Sequence, residues 1–121
     1  MSIKKIEVND TLHVMYNGEA LDTLKTLADE SVDLVVTSPP YADRRKNAYG
    51  GVTSDKYVDW FIPFAREIKR VLKNDGSFFL NIKPHCVDGE RDLYVMKLVI
   101  ALREQVGLRF VDEFSWTRLG V

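Results

Sequence analysis

Apolar and polar positions change period several times along the 121-residue chain. Residues 12–16 (LHVMY) are short and mostly apolar, as a strand would be, and Asn17-Gly18 behind them signals a turn. Residues 19–29 take up a helical period, with Leu21, Leu24, Leu27 and Ala28 on one face. "VDLVV", from Val32 or Asp33 to Val36, is β-branched and apolar, the pattern of a strand buried on both faces of a parallel sheet. Residues 41–55 carry loop chemistry. Residues 57–73 predict a long helix that turns Phe61, Phe64, Ala65, Ile68, Val71 and Leu72 inward. Pro63 lacks an amide donor and belongs in its first turns or at a kink. Asn74-Asp75-Gly76 ends that helix, and residues 77–83 (SFFLNIK) form the next buried strand. Residues 91–107 predict a second long helix with a Leu98, Leu102, Val106 stripe and Gly107 at its C-cap. Residues 108–116 (LRFVDEFSW) alternate in part and predict a last strand.

The resulting order is β-α-β-α-β-α-β. It calls for an α/β fold with a mostly parallel sheet flanked by helices and joined by right-handed crossovers. A chain of this length supports one domain, residues 1–121. Such sheets bind ligands at the carboxyl ends of their strands, and Ser38-Pro39-Pro40-Tyr41 lies at one.

Composition narrows the picture. Apolar residues at 45% and charged residues at 29% are an ordinary globular balance and argue against disorder. A net charge of −1 means that any affinity for nucleic acid comes from a local patch. The lone Cys86 excludes an internal disulfide and fits a reducing cytosol. No apolar run approaches the ~20 residues of a membrane span, and the N-terminus lacks the apolar stretch of a signal peptide.

Ser38 and Pro39 each precede a proline, which pushes both to extended geometry and stiffens the backbone. Neither proline can donate a hydrogen bond. The site therefore offers acceptors, the Ser38 hydroxyl oxygen and nearby carbonyls, beside the flat face of Tyr41. Rigid acceptors next to a ring suit a planar substrate with an NH₂ group, such as a nucleobase. The lone pair of such an amine is delocalised into its ring. Acceptors that hold both N–H bonds favour a pyramidal nitrogen aimed at an electrophile, with no covalent intermediate. The base would have to leave its duplex to reach such a site.

"TSPPY" after "VDLVV" resembles the catalytic motif of the DNA amino methyltransferases, which methylate N4 of cytosine or N6 of adenine with S-adenosylmethionine. "NGEALDTLKTLADESVDLVVTSPPY" resembles the opening of the class whose catalytic half precedes its cofactor half, and "YVDWFIPFAREIKRVLKNDGSFFLNI" resembles the helix and strand that follow there. The resemblance covers nearly the whole chain. It implies a Rossmann-like methyltransferase fold, of which this chain would be the catalytic half. It also implies a restriction-modification role on double-stranded DNA in the cytoplasm of a prokaryote or in a phage, at the nucleoid. Ser38, Pro39, Pro40 and Tyr41 would be catalytic. The family usually carries Ser at the first motif position in N4-cytosine enzymes and Asp in many N6-adenine enzymes. Ser38 therefore points to cytosine, with adenine the alternative.

Other residues carry two readings each. Arg44, Arg45 and Lys46 would clamp phosphates from a loop hinged at Gly50 and Gly51, or form a solvated surface run. Asn81, at the end of "FLN", would bond substrate or cap a turn. Glu19 would be the acid that the family places near the cofactor, or a charge favourable to the dipole of its helix. His85 and Cys86 are adjacent, but no further ligands stand at metal spacing, which argues against zinc. Trp60 and Trp116 read as core or half-core aromatics.

The family cradles the methionine end of its cofactor on a glycine-rich Phe-x-Gly-x-Gly turn. Seven glycines occur here and none forms Gly-x-Gly. The expectation is a catalytic portion that needs a second segment or chain for the cofactor half, and that self-associates through the open edge of the "VDLVV" strand. A non-catalytic remnant that binds nucleic acid or a partner is the competing class, and methyl transfer to an RNA or protein amine is a third reading.

Overall fold

The computed structural model describes residues 1–43 and 51–120. Two strands open the chain, β1 (Ser2–Val8) and β2 (Thr11–Asn17), paired antiparallel. The turn between them is Asn9-Asp10, both at positive φ of 48° and 59°. Asn and Asp tolerate that conformation, and it matches the twist of a two-residue hairpin. The second strand lies where its apolar pattern predicts one, and β1 is a strand that the pattern does not announce. The hairpin turn commits β2 to its antiparallel neighbour, not to the parallel sheet expected from the element order.

Helix α1 (Ala20–Thr26) follows, shorter than its apolar period suggested. Leu21, Leu24 and Leu27 are half-buried, but Ala28 lies beyond the helix and is exposed. Arg70 closes the end of α1 from across the fold. Its guanidinium donates to the carbonyls of Leu24 and Leu27, both at 2.9 Å, and pairs with Asp29 and Glu67.

Strand β3 (Val32–Thr37), helix α2 (Tyr57–Val71) and strand β4 (Leu72–Leu80) form a β-α-β unit in which β3 and β4 run parallel. Pro63 sits in the second turn of α2, with its ring exposed. The helix stops at Val71, two residues earlier than predicted, and Leu72 is already extended. The predicted Asn74-Asp75-Gly76 turn survives inside β4. Val32 pairs with Leu72 but Leu34 pairs with Ser77, so Lys73–Gly76 bulge out opposite Asp33. Lys73 Nζ ties that bulge to the Asp33 carboxylate at 2.8 Å. A Cβ at Gly76 would come within 3.1 Å of the Asp33 carbonyl, so the close approach needs glycine there.

A small hairpin comes next, β5 (Cys86–Val87) and β6 (Glu90–Arg91), turned by Asp88-Gly89 at φ 52° and 81°. Helix α3 (Tyr94–Ala101) continues as a π-helical turn, Leu102–Val106. Gly107 ends it in the left-handed conformation at φ 82°. The Leu108 N–H reaches back to the Leu102 carbonyl at 3.0 Å, as glycine-terminated helices do.

The core lies between α2 and α3, around Tyr57, Phe61, Ala65, Tyr94 and Leu98, with Phe78 and Leu80 of β4 packed against it. Only one face of the parallel pair is covered in this way. Leu34 and Val36 of β3, on the other face with Phe79, are 52% and 67% exposed. The expectation of a strand buried on both faces therefore fails among the described residues, because no helix or strand packs there. The predicted strand at 108–116 is likewise not formed. No neighbouring strand among the described residues offers its backbone a partner, and Phe110, Phe114 and Trp116 are exposed, Trp116 by 87%. Trp116 is thus not a core aromatic, whereas Trp60 is half-buried on α2. No helix among the described residues is long and apolar enough to cross a membrane.

Candidate active site

Ser38-Pro39-Pro40-Tyr41 follows the last residue of β3, and Asn81 follows the last residue of β4. Both are at the carboxyl end of the parallel pair, where such sheets place ligands. Thr37 pairs with Leu80, which brings Ser38 level with Asn81. The Asn81 N–H donates to the Thr37 carbonyl at 2.9 Å, the last backbone rung of the ladder. Its side-chain Nδ2 donates to Ser38 Oγ at 3.3 Å, and the Tyr41 hydroxyl lies 3.4 Å from the same oxygen. Ser38 and Asn81 are exposed and Tyr41 is half-buried, so the cluster faces outward and is open to a ligand.

Asn81 thus contacts Ser38 through its side chain as well as ending β4. Its carboxamide spends one N–H on Ser38 and keeps Oδ1 as an acceptor and a second N–H as a donor. Side by side, those groups complement an amine next to a ring nitrogen.

Two residues that the sequence reading passed over hold the site from below. The buried Tyr57, first in α2, donates its hydroxyl to the Pro40 carbonyl. The buried Tyr94, first in α3, donates to the Lys83 carbonyl. Burial pushes the Tyr57 phenol well above its ordinary value, with the Tyr94 and Tyr41 phenols adding to the effect. Burial raises Tyr94 as well. The place of Tyr57 at the head of its helix is visible in the sequence, whereas the second helix begins three residues later than its pattern predicts, at Tyr94. Their hydroxyl partners are not visible there, because both lie in loops of other elements.

His85 is buried beside two carboxylates, with Nε2 3.4 Å from Asp43 Oδ2 and 3.9 Å from Asp92 Oδ2. Burial works against the Asp92 carboxylate, but the Tyr94 N–H, the Ser54 hydroxyl and His85 hold it below the usual range. No group of three or more metal-binding side chains occurs among the described residues. Cys86 is exposed and free. The Asp43 N–H donates to the Val52 carbonyl at 2.9 Å, joining the two ends of the segment that carries Arg44, Arg45 and Lys46. Those three residues and Gly50 lie outside the described residues.

Glu19 stands apart from this cluster, exposed at the N-cap of α1. It lines an open groove of about 450 Å³ with Asp22, Asp59, Trp60 and Phe64. Trp60 is one helical turn from Tyr57, with ring centroids 5.2 Å apart. Two aromatic rings and three carboxylates suit a heterocycle carrying amino and hydroxyl donors, which fits the adenosyl end of S-adenosylmethionine. Nothing among the described residues fits the methionine end, for which no glycine cradle is present.

The family model described as DNA methylase matches residues 32–120. The type II methyltransferase M.PvuII of Proteus hauseri is 38% identical over 104 residues, spanning 84% of this chain and 31% of that protein. The type II methyltransferase M.BglII of Bacillus subtilis is 31% identical over 108 residues, spanning 88% of this chain and 29% of that protein. Among solved structures, PvuII DNA methyltransferase (cytosine-N4-specific) superposes with a TM-score of 0.64 at 37% identity, covering 76% of this chain and 33% of that one. The chain thus spans about a third of the length of these relatives.

Proposed function

The chain belongs to the DNA methylase family, and we propose that it is the catalytic portion of a type II restriction-modification methyltransferase that acts in the cytoplasm on N4 of cytosine in double-stranded DNA. The observation that carries this reading is the Ser38, Tyr41 and Asn81 cluster at the carboxyl end of the parallel pair. The base is flipped out of the duplex and its ring stacks on Tyr41. Ser38 Oγ and Asn81 Oδ1 accept the two N–H bonds of the amine, which turns its lone pair out of the ring plane. The second N–H of Asn81 meets the adjacent ring nitrogen. As the nitrogen gains a methyl group it must release one proton, and the exposed rim at Ser38 opens that path to solvent. S-adenosylmethionine supplies the electrophilic methyl group when bound. Glu19, with Trp60 and Phe64, would hold its adenosyl end.

The methionine end needs a cradle of close-approach backbone, which glycines supply. We assign that cradle to a further segment or a second chain that docks on the edge of β3, which pairs only with β4 among the described residues, and that covers the sheet face bearing Leu34 and Val36. The described chain by itself therefore binds the cofactor weakly or not at all, and self-associates through that edge. Titration calorimetry with S-adenosylmethionine and light scattering check both points. Micromolar binding by a clean monomer would refute the half-site reading.

Mass spectrometry of nucleosides from DNA treated with the assembled enzyme tests the reaction. N4-methylcytosine is the expected product. N6-methyladenine as sole product would retain the family chemistry and overturn the choice of base. Its pattern of amine beside ring nitrogen is the same, and Ser38 is the residue that favours cytosine. Arg44, Arg45 and Lys46 are proposed to contact phosphates.

A further inference from the structure

The two loops of the site leave neighbouring strands side by side, because Thr37 and Leu80 are the last pair of the parallel ladder. In a parallel ladder the rung after Asn81 N–H to the Thr37 carbonyl would come from the N–H of residue 39. Residue 39 is proline and has none. The backbone ladder therefore stops at the site.

Side chains take over where the ladder stops. Besides the Asn81–Ser38 and His85–Asp43 contacts between the loops, Tyr57 donates to the Pro40 carbonyl and Tyr94 to the Lys83 carbonyl. Tyr57 and Tyr94 are 0% and 1% exposed, and their rings meet edge to face with centroids 4.9 Å apart. A packing role would need only the rings. Here each hydroxyl leaves its own helix and holds the main chain of a site loop.

We propose that Tyr57 and Tyr94 form a rigid spacer that sets the separation between the Ser38–Tyr41 turn and the loop after β4. They are positioning residues: by fixing the Pro40 peptide and the Lys83 peptide they aim Ser38 and Tyr41 at Asn81. The catalytic consequence rests on the methyl-transfer reading of this site, and the geometric one does not.

Tyr57→Phe, Tyr94→Phe and the double variant keep both rings and remove the hydroxyls. In the assembled enzyme each single change lowers kcat about tenfold or more, as small misplacements of reacting groups do. KM for DNA stays within about twofold, because phosphate contacts are untouched. The double variant loses about as much as the worse single one, since the two hydroxyls act as a unit. In parallel, NMR of the chain labelled with ¹³Cζ-tyrosine follows Tyr41 directly. Its resonance moves in Tyr57→Phe while that of Tyr16, on the separate hairpin, does not. An unchanged kcat with an unmoved Tyr41 resonance would overturn the spacer, as would a loss confined to KM. A moved Tyr41 resonance in a protein whose parent form transfers no methyl group would uphold the spacer and reject the methyl-transfer reading instead.

Discussion

Asn81 holds Ser38 at two points: its backbone N–H reaches the carbonyl of Thr37, and its side-chain Nδ2 reaches Ser38 Oγ at 3.3 Å. Removing the carboxamide leaves the backbone rung intact and frees the hydroxyl. A neutral hydrogen bond of this kind contributes about 0.5–1.5 kcal/mol. Asn81→Ala should therefore lower methyl transfer by about two- to tenfold with little change in Tm. Steady-state rates and thermal melts of the same preparations check this. Full activity in Asn81→Ala would return the residue to a mere turn.

Ser38→Ala removes the acceptor itself, and Tyr41→Ala removes the stacking face, worth roughly 1–3 kcal/mol per base. Both residues lie outside the core cluster, so each variant should keep its melting temperature while single-turnover methylation falls. If Ser38→Ala methylates at the parent rate, the role given to its hydroxyl is wrong.

Arg44, Arg45 and Lys46 follow the Ser38–Tyr41 turn after two intervening residues in sequence. Neutralising all three should weaken binding to every DNA sequence alike and flatten the plot of log affinity against log salt by about two to three units. Binding titrations over a range of salt concentrations measure that slope. A changed recognition sequence at an unchanged slope would count against phosphate contact.

Arg70 joins α2 to the end of α1 through the Leu24 and Leu27 carbonyls. The planar fork makes both bonds at once, which a lysine cannot do. Arg70→Lys should lower Tm nearly as far as Arg70→Ala, although it keeps the charge. Calorimetry on the two variants decides whether the fork or the charge matters.

Alkaline pH should loosen the core. In an unfolded chain a phenol loses its proton near pH ~10. In the folded chain burial holds the protons of Tyr57 and Tyr94 to higher pH. Above pH ~10 the unfolded chain therefore binds fewer protons than the folded one, and stability falls as pH rises. Below that pH the contribution is complete. Urea unfolding midpoints measured from pH ~9 upward should fall, and Tyr57→Phe should flatten the fall. A midpoint indifferent to pH in this range would contradict the assignment.

By itself, the sequence determined those features that each segment settles locally. The apolar period of residues 57–71 made α2, and Gly107 stopped α3 because its left-handed φ suits glycine. Two prolines after an apolar strand placed the Ser38–Tyr41 turn at its carboxyl end, because a residue before proline is driven to extended geometry and proline cannot continue a ladder. The hairpin turns at Asn9-Asp10 and Asp88-Gly89 were legible in the same way and were passed over. Only the tertiary structure decided what each strand pairs with. The pattern of alternating apolar residues is equally consistent with the antiparallel partner that β2 takes and with the absence of any partner at residues 108–116. Pairing is a property of two segments together, so neither segment's own pattern contains it. The same holds for the site. Ser38 meets Asn81 across 43 residues, and Tyr57 meets Pro40 across 17. Those contacts follow from the parallel register of β3 and β4 and from the packing of α2 against α3, which bring hydroxyls and carbonyls together that no local period connects.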